Sequence, residues 1–410
     1  MTQLTTHEQY LLELTNRARL DPLSEASRLG IDLNQGITGT PITTDAKPPL
    51  APNPLLNDAA RAHSQWMIDT DTFSHIGIDG TNAGMRMAAA GYQFAGNGLW
   101  GENLAAWAST GTLDLARAVA TEHDGLFRSP GHRLNTLDES FREIGVGIVT
   151  GPYRDATGVM ATEVFARGSA ASFLTGVAFT DADGNGFYTP GEGRNGIRVV
   201  LDGGGPQADT RPAGGWVLAP SPGSHTVTFS DGGLPARVGV VLTVPPEPIS
   251  IKLDLIGIGT VHASTSAALG VNARNLTLLG TADLNGTGNS LDNTVSGNRG
   301  DNRLTGGGGS DRLTGGEGAD RFIVRSLAEA GDLILDFSAG TGDSLDLRPL
   351  FDTLGYQGDD PLADGHLHLT QQGADVLIQV DTNGDGDAFT EVATLANTAV
   401  SILDPDAVLA

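Results

Sequence analysis

The chain has no cysteine, and it contains few lysines and few aromatic residues among its 410 residues. Without cysteine, neither a disulfide nor a thiolate metal site can form. The lysines are Lys47 and Lys252 alone, and the formal net charge is −25. This balance argues against nucleic acid and anionic membrane surfaces as partners. No HExxH sequence and no legible Ser/His/Asp or Cys/His arrangement occurs, so the common hydrolase motifs give no assignment.

Long apolar stretches are also missing. The chain has no run of about 18 apolar residues, so no membrane span is predicted. The N-terminal sequence MTQLTTHEQYLLELTNRAR has no basic region followed by an apolar one, so no signal peptide is predicted. Aromatic residues make up 5% of the chain and glycines number 57. The apolar core is therefore expected to be divided among several β-rich units, in about two to four domains.

Four consecutive nonapeptides occupy residues 288–323. Each has glycine first, asparagine or aspartate sixth and an apolar residue eighth. This period predicts a parallel β-roll that binds calcium in its turns, with the sixth residue supplying a hard oxygen ligand. Two nonapeptides make one coil, so sixth residues that are eighteen apart should lie over one another. The alternative is a flexible glycine-rich linker, which needs no period. The predicted calcium-binding residues are Asn293, Asn302, Asp311 and Asp320.

A second calcium site is predicted at residues 181–192, where the sequence matches D-x-[DN]-x-[DN]-G-x₅-E in full. Strand-like runs precede and follow this loop, and similar runs continue through residues 172–256. They suggest an Ig-like or prealbumin-like β-sandwich. The alternative for the loop is a hairpin without metal. The expected ligands are the side chains of Asp181, Asp183, Asn185 and Glu192 and the backbone carbonyl of Phe187.

Residues 1–170 mix helical and strand patterns. A helix is predicted from Thr6 to about Asp21, and a second helix is predicted with Asn57 as its N-cap. The motifs TNRAR, FSH, GEN, SPGHR-x-N and IGVGI follow in this order. Their order resembles the CAP superfamily of plant pathogenesis-related and cysteine-rich secretory proteins, in its bacterial SCP-like form. The resemblance covers residues 7–168 and implies an α/β/α sandwich.

The resemblance also implies a cleft lined by His75, Glu102 and His132. Two neutral imidazoles and a carboxylate would suit zinc with one position left open. Family members with a complete set carry a further glutamate where this chain has Ser129. A third helix is predicted over LDLARAVATEHDGLF, and Glu122 lies on it one turn before Leu126 and seven residues before Ser129. The alternative is that the two histidines are hydrogen-bonded residues that brace loops and that Glu102 caps the adjacent backbone.

The C-terminal part extends these patterns. Residues 257–287 are predicted to be a linker that turns into an imperfect first coil. The nonapeptides resemble the RTX repeats of type I secreted proteins, and the region around the calcium loop resembles calcium-binding domains of bacterial adhesins. Residues 324–410 resemble the C-terminal module of type I secreted proteins, with Asp336, Asp343 and Asp346 in its motifs. The tail SILDPDAVLA suits an uncleaved export signal.

Together these patterns predict a multi-domain extracellular protein, exported by a type I secretion system and dependent on calcium. Its predicted parts are an α/β/α domain (1–170), a β-sandwich with a calcium loop (172–256), a linker (257–287), a β-roll (288–323) and a secretion module (324–410). The first hypothesis is that the cleft binds an unknown ligand or protein partner. The second is a hydrolase in which a metal at the cleft activates water. The third is an adhesive or matrix protein with a vestigial cleft. The sequence does not decide whether the protein is an enzyme.

Overall fold

The computed structural model describes residues 3–96, 98–168, 171–386, 388–403 and 408. The chain divides into two units. The first unit contains residues 1–223, 231–233 and 244–257, and the second contains residues 224–230, 234–243 and 258–410. The strands of residues 172–256 are therefore shared between the two units.

Of the six α-helices described in the first unit, five have an N-cap side chain that accepts a hydrogen bond from the backbone of the first turn. The first begins after the N-cap Thr5, whose hydroxyl accepts from the backbone of Glu8 in a capping box. The second predicted helix begins at Pro54 with Asn53 as its N-cap, so the prediction of Asn57 as the cap is wrong. Asn57 lies inside the helix. The helices are α1 (Thr6–Leu20), α2 (Pro22–Arg28), α3 (Pro54–Asp69), α4 (Ala83–Ala89), α5 (Leu115–Arg128) and α6 (Pro130–Leu137).

A four-stranded sheet lies between these helices, with the strand order β1-β3-β4-β2. Its apolar side chains bury on both faces, with α1 and α5 against one face and α3 and α4 against the other. Gly145 and Gly147 allow the close approach of α3, because a methyl group there would lie 2.2 Å and 2.3 Å from its backbone. The strands are β1 (Ala51–Pro52), β2 (Trp100–Ser109), β3 (Glu143–Tyr153) and β4 (Ala156–Ala166).

The remaining strands of the first unit form two smaller groups. β5 pairs antiparallel with β8 and parallel with β11, and β6 pairs with β7. The loop at 181–192 connects β5 to β6, so no helix flanks it, as predicted. The strands are β5 (Phe173–Phe179), β6 (Ile197–Leu201), β7 (Gln207–Asp209), β8 (Gly215–Leu218) and β11 (Ser250–Ile256).

Two stacks of short parallel strands dominate the second unit. One stack has the order β12-β14-β16-β18-β20 and the other β13-β15-β17-β19-β21, so consecutive strands alternate between the stacks. The eighth residue of every nonapeptide is buried inside this coil, as the pattern predicts. The strands are β12 (Thr260–Ala263), β13 (Ala267–Leu269), β14 (Asn275–Leu278), β15 (Asn285–Thr287), β16 (Thr294–Ser296), β17 (Arg303–Thr305), β18 (Arg312–Thr314), β19 (Arg321–Ile323), β20 (Asp332–Ile334) and β21 (Ser344–Asp346).

The coil begins earlier than the sequence predicts. Residues 257–287 are predicted to be a linker that turns into an imperfect first coil, but they contain four strands. Of these, β14 and β15 pair with strands of the repeats, and β12 and β13 pair in turn with β14 and β15. Buried apolar residues such as Val261 and Leu276 keep the inward pattern there, although the glycine and aspartate period is missing. The other elements of this unit are β9 (Gly223–Asp231, at its border), β10 (Val238–Val244), α7 (Arg348–Leu354), β22 (Leu367–Gln372), β23 (Asp375–Asp381) and β24 (Phe389–Leu395). None of the helices in the described parts of the chain is long and apolar enough to cross a membrane.

Candidate functional site

Two of the predicted cleft residues are in direct contact. Nδ1 of His75 lies 2.8 Å from Oε1 of Glu102. The Arg86 guanidinium donates to the other carboxylate oxygen of Glu102 and, at 3.1 Å, to the backbone carbonyl of His75. Glu102 is buried, whereas 56% of the His75 side chain is exposed. Both oxygens of Glu102 are therefore already occupied by protein donors.

His132 is placed beside this pair by a chain of amide hydrogen bonds. Nδ2 of Asn135 donates to the backbone carbonyl of Glu102 at 3.1 Å and to Oδ1 of Asn103 at 3.0 Å. Nδ2 of Asn103 in turn lies 3.3 Å from the backbone carbonyl of His132. The rings of His75 and His132 are 6.4 Å apart. Burial, and then the charge of His75, lower the pKa of His132, which favours the neutral imidazole.

The donor set does not assemble into a zinc site. In the described part of the chain, the possible ligand atoms of His75, Glu102 and His132 do not all lie within 4.8 Å of one another. Glu102 also faces the permanent positive charge of Arg86, which would oppose a cation at the same carboxylate. The geometry therefore does not support zinc at these three residues.

Glu122 lies beside His132 and is the most perturbed group of the cleft. Both carboxylate oxygens are buried without a hydrogen bond of ordinary geometry. Burial raises the pKa of Glu122 to about 8, and the Trp107 backbone offsets this only in part. This shift favours the protonated, neutral form of the carboxyl at pH 7. The sequence predicts a helix at Glu122, which is α5 in the structure. The burial of its carboxyl, however, depends on the facing strand β2.

A mostly apolar pocket of about 350 Å³ adjoins these groups. Its walls come from the segment before α4, from β2, from α5 and from the start of α6, and the polar side chains in its lining are those of Thr121, Glu122, Ser129 and His132. The sequence analysis missed this pocket, because its apolar residues are dispersed along the chain and form no motif. The pocket is lined by Phe73, Leu104, Ala105, Ala106, Trp107, Thr121, Glu122, Gly125, Leu126, Ser129 and His132.

The predicted calcium loop brings three of its acidic side chains together in the structure. Asp181, Asp183 and Glu192 each offer a carboxylate oxygen, and these oxygens lie within 4.8 Å of one another. Backbone N–H groups already orient them: Oδ2 of Asp181 accepts from Gly186 at 3.1 Å, and Oε2 of Glu192 accepts from Thr189 at 2.8 Å. The acids are thus held in one place by the loop itself, which is the arrangement that a hard cation requires.

The remaining two predicted ligands have a different environment. Oδ1 of Asn185 accepts from the N–H of Phe187 at 2.6 Å. The Phe187 ring lies against α1, with the Arg17 guanidinium 5.1 Å from the ring centroid and the Tyr10 ring at 6.3 Å. Tyr188 is buried next to it and its hydroxyl donates to the carbonyl of Thr6 at 3.3 Å. The loop is therefore packed on the N-terminal helix.

We expect terbium, a calcium mimic, to bind this loop in the full chain and to be sensitised by Tyr188. Asp183→Ala with Glu192→Ala should reduce the luminescence excited at the tyrosine band by about tenfold or more, since two of the hard-oxygen ligands are lost. Asp209→Ala, which removes an exposed carboxylate from β7, is the control and should leave the signal unchanged. Equal luminescence in the double variant and the native protein would mean that the loop is only a hairpin.

The sixth residues of the nonapeptides stack as predicted. The N–H of Asn293 donates to Oδ1 of Asp311 at 2.6 Å, and the N–H of Asn302 donates to Oδ1 of Asp320 at 2.8 Å. Burial, with neighbouring acids, raises the pKa of Asp320 to about 6 and that of Asp332 to about 7. Such crowding of buried acids is what a bound cation would relieve.

The predicted export tail SILDPDAVLA falls partly outside the described residues, because it includes residues 404–407, 409 and 410. The acidic turn after β23 is described except for Asp387. Asp381 accepts from the backbone of Gly386 at 2.6 Å, as a turn without metal would. The proposed export tail stays a prediction.

Two family models match the chain. The model described as the cysteine-rich secretory protein family, CAP, matches residues 12–165. These residues are therefore a CAP domain. The model described as the RTX calcium-binding nonapeptide repeat, in four copies, matches residues 287–322. The chain thus joins a CAP domain to RTX repeats, which imply Ca²⁺ binding and fit a calcium-binding secreted protein.

Solved structures match parts of the chain. An extracellular protein with an SCP domain from Bacillus anthracis str. Ames is 26% identical over 41% of this chain, with a TM-score of 0.26, and the match spans only 45% of that protein. An outer surface protein of Borrelia burgdorferi is 15% identical over 41% of this chain and 97% of its own, with a TM-score of 0.26. A subunit of the mannuronan C5-epimerase from Azotobacter vinelandii is 25% identical over 33% of this chain and 91% of its own, with a TM-score of 0.24. A search of curated proteins gives no significant match.

Proposed function

We propose that this is a secreted, calcium-dependent binding protein whose CAP domain takes a small apolar ligand into the pocket beside His132. The observation that carries the proposal is the pocket of about 350 Å³, whose mostly apolar lining also includes the titratable groups Glu122 and His132. Small-molecule sites commonly have this size and composition. The ligand would have an apolar body and one group that accepts or donates a hydrogen bond.

Glu122 and His132 in the pocket lining suit such a ligand. Burial raises the pKa of Glu122 to about 8, and in the protonated form that this favours its carboxyl can donate a hydrogen bond to a carbonyl or hydroxyl oxygen. His132, whose pKa is lowered by burial, can accept or donate as a neutral ring. The His75–Glu102–Arg86 cluster then serves to brace the cleft and does not need to hold a metal.

The C-terminal part would serve export and folding. We regard the two strand stacks as a parallel β-roll of the RTX type, and residues 172–256 as an Ig-like β-sandwich that carries the calcium loop. A type I exporter is the partner expected for such a C-terminus, and an extracellular location follows from it. Millimolar calcium outside the cell would fill sites with dissociation constants of roughly 10⁻⁴ to 10⁻³ M.

The other two hypotheses have less support. A metal-dependent hydrolase needs a bound water activated at the cleft, and the three residues do not offer the ligand geometry. An adhesive protein with a vestigial cleft would not need a protonated carboxyl beside an apolar pocket.

The uncharged fluorescent probe N-phenylnaphthylamine can test the pocket in the full chain. We expect saturable binding to the native protein, with Phe73→Ala and Trp107→Ala each weakening it by about tenfold or more, because each removes a large apolar contact area. Leu23→Ala removes an exposed leucine of the same domain that does not line the pocket, and should bind the probe as the native protein does.

Two outcomes would contradict this proposal. Unchanged affinity in the Phe73 and Trp107 variants would place the probe elsewhere. Absence of saturable binding by the native protein, in the presence of calcium, would leave the pocket without the proposed role.

A further inference from the structure

Glu163 is a buried carboxyl in the middle of the four-stranded sheet. It lies on β4, where its register partners are Asn103 of β2 on one side and Val146 of β3 on the other. Only 1% of the residue is exposed. Oε1 of Glu163 lies 2.6 Å from Oγ1 of Thr15 on α1, and Oε2 accepts from Nδ2 of Asn103 at 3.1 Å. Both of these partners are uncharged groups.

The hydrogen bonds of Thr15 indicate where the proton of this carboxyl lies. Oγ1 of Thr15 is 2.8 Å from the backbone carbonyl oxygen of Leu11 and 2.6 Å from Oε1 of Glu163. A carbonyl oxygen can only accept, and a hydroxyl has one hydrogen to donate. If Thr15 donates to Leu11, the contact with Glu163 is a hydrogen bond only when the carboxyl donates its own hydrogen to Thr15. An ionised carboxylate would leave one of these two contacts as a pair of acceptor oxygens facing each other.

The surroundings of Glu163 favour the same neutral form. Burial raises its pKa, and the hydrogen bond with Thr15 and the charge of His123 offset this only in part. His123, on α5, is the titratable neighbour, but its Nε2 lies 3.0 Å from Oε1 of Glu25, so its ring is already engaged there. The uncharged neighbours on α1, β2, β3 and α6 are Thr15, Asn103, Val146 and Thr136.

Asn103 connects this carboxyl to the cleft. Its Nδ2, which donates to Glu163, also lies 3.3 Å from the backbone carbonyl of His132. Its Oδ1 accepts from Nδ2 of Asn135 at 3.0 Å, and Asn135 in turn donates to the backbone carbonyl of Glu102. An amide that is engaged at both ends cannot turn without leaving buried polar groups unpaired. A continuous chain of hydrogen bonds therefore runs from Glu163 to the two cleft residues.

We propose that Glu163 is a positioning residue of the cleft, and that the pocket keeps its affinity for a ligand only while this carboxyl holds its proton. The ionised group would take the hydrogen of Thr15 and would need further donors in a buried place. Asn103 would then turn toward it, and His132 would lose its fixed place beside the pocket. The affinity is therefore full below the pKa of Glu163 and falls as the pH rises through it. This inference rests on the proposed function, because it assigns a regulation to the same pocket.

The proton can be observed without a ligand, by infrared spectroscopy of the full chain. The difference between Glu122→Gln and the double variant Glu122→Gln with Glu163→Gln should contain the carbonyl-stretching band of a protonated carboxylic acid at pH 7. Glu122→Gln is the background because burial also raises the pKa of Glu122. Absence of this band overturns the proposal.

Binding of N-phenylnaphthylamine to the full chain tests the positioning. Glu163→Gln should bind the probe as the native protein does, because an amide can donate to Thr15 and accept from Asn103 as the protonated acid does. Glu163→Leu should bind it about tenfold more weakly, since buried polar groups are left unpaired. Thr162→Val is the matched control. It is the next residue on β4 and loses a buried hydrogen bond of 2.8 Å to Ser64 of α3, on the other face of the sheet, and it should bind as the native protein does.

The dependence of binding on pH separates positioning from a simple loss of stability. In Glu122→Gln the affinity for the probe should fall as the pH rises, within the range in which circular dichroism shows a folded protein. Adding Glu163→Gln should remove this fall, because glutamine has no proton to lose and the other titratable groups of the cleft are unchanged.

Equal pH profiles in these two proteins overturn the proposal, as does native affinity in a folded Glu163→Leu. If Glu163→Leu does not fold, the two profiles and the infrared band decide. A native protein that shows no saturable binding of the probe would instead refute the proposed function, and the regulation with it, whatever the infrared band shows.

Discussion

Replacing Lys252 with methionine should lower the free energy of unfolding of the first unit by about 3–5 kcal/mol, the usual cost of removing one partner from a buried ion pair. Nζ of Lys252 lies 2.5 Å from Glu13 and 2.7 Å from Asp254. All three residues are at least nine-tenths buried. Without the ammonium group, two carboxylates stay in the interior with no counter-charge.

Tryptophan fluorescence during urea unfolding measures this effect selectively. The four tryptophans of the chain all lie before residue 224, in the first unit, so their emission does not report on the repeats. Arg198→Met is the matched control. It removes a cation from a pair in which both side chains are about half exposed, and it should leave the unfolding curve little changed.

Two further observations separate this explanation from simple loss of packing. Adding Glu13→Gln to Lys252→Met removes one stranded charge and should recover part of the stability. Acidification should also shrink the deficit, because desolvation raises the pKa of Glu13 and the stranded carboxylate then becomes neutral. A deficit that is equally large at pH 4 and pH 8, with no recovery in the double variant, would refute the buried-charge account.

Glu122→Gln should change how stability depends on pH. Burial raises the pKa of Glu122 to about 8 in the folded protein, from the ordinary glutamate value of 4.5. The contribution of the protonated Glu122 carboxyl to the free energy of unfolding is complete below the pKa that the group has in the unfolded chain. It is lost as the pH rises through the pKa of the folded protein. Between pH 5 and pH 8 the native protein should therefore lose up to about 4 kcal/mol relative to the variant.

The measurement is the difference between native and variant unfolding free energies at constant calcium, followed by tryptophan fluorescence. Near pH 5 the two proteins should be equally stable, since a neutral carboxyl and an amide are similar in size and polarity. Burial also raises the pKa of Glu163, but that group is present in both proteins and cancels. Glu139→Gln, an exposed carboxylate of the same domain, is the control. If the unfolding free energies of the native protein and of Glu122→Gln depend on pH in the same way, Glu122 is not held neutral by burial.

Short-range patterns determined much of this protein from its sequence alone. The period of nine predicted the repeats, because each nonapeptide supplies one glycine turn and one apolar residue that points inward. The spacing from Asp181 to Glu192 likewise predicted a calcium loop, and the carboxylates of three of its acids lie close together in the structure. The order of motifs in the first 168 residues identified the CAP domain, which the family match confirms. In the repeats and the calcium loop the chemistry is encoded within a few neighbouring residues, and in the CAP domain it is carried by short motifs in a set order.

The tertiary structure decided what depends on distant segments. Lys252 and Glu13 are 239 residues apart, and no local pattern records that they meet. The state of Glu122 depends on the strand that covers it. Asp332 follows Asp311 after 21 residues, where the repeats use 18, so an insertion breaks the period while the stacking continues. The fold therefore determines which of these groups meet, because it brings together segments that are far apart along the chain.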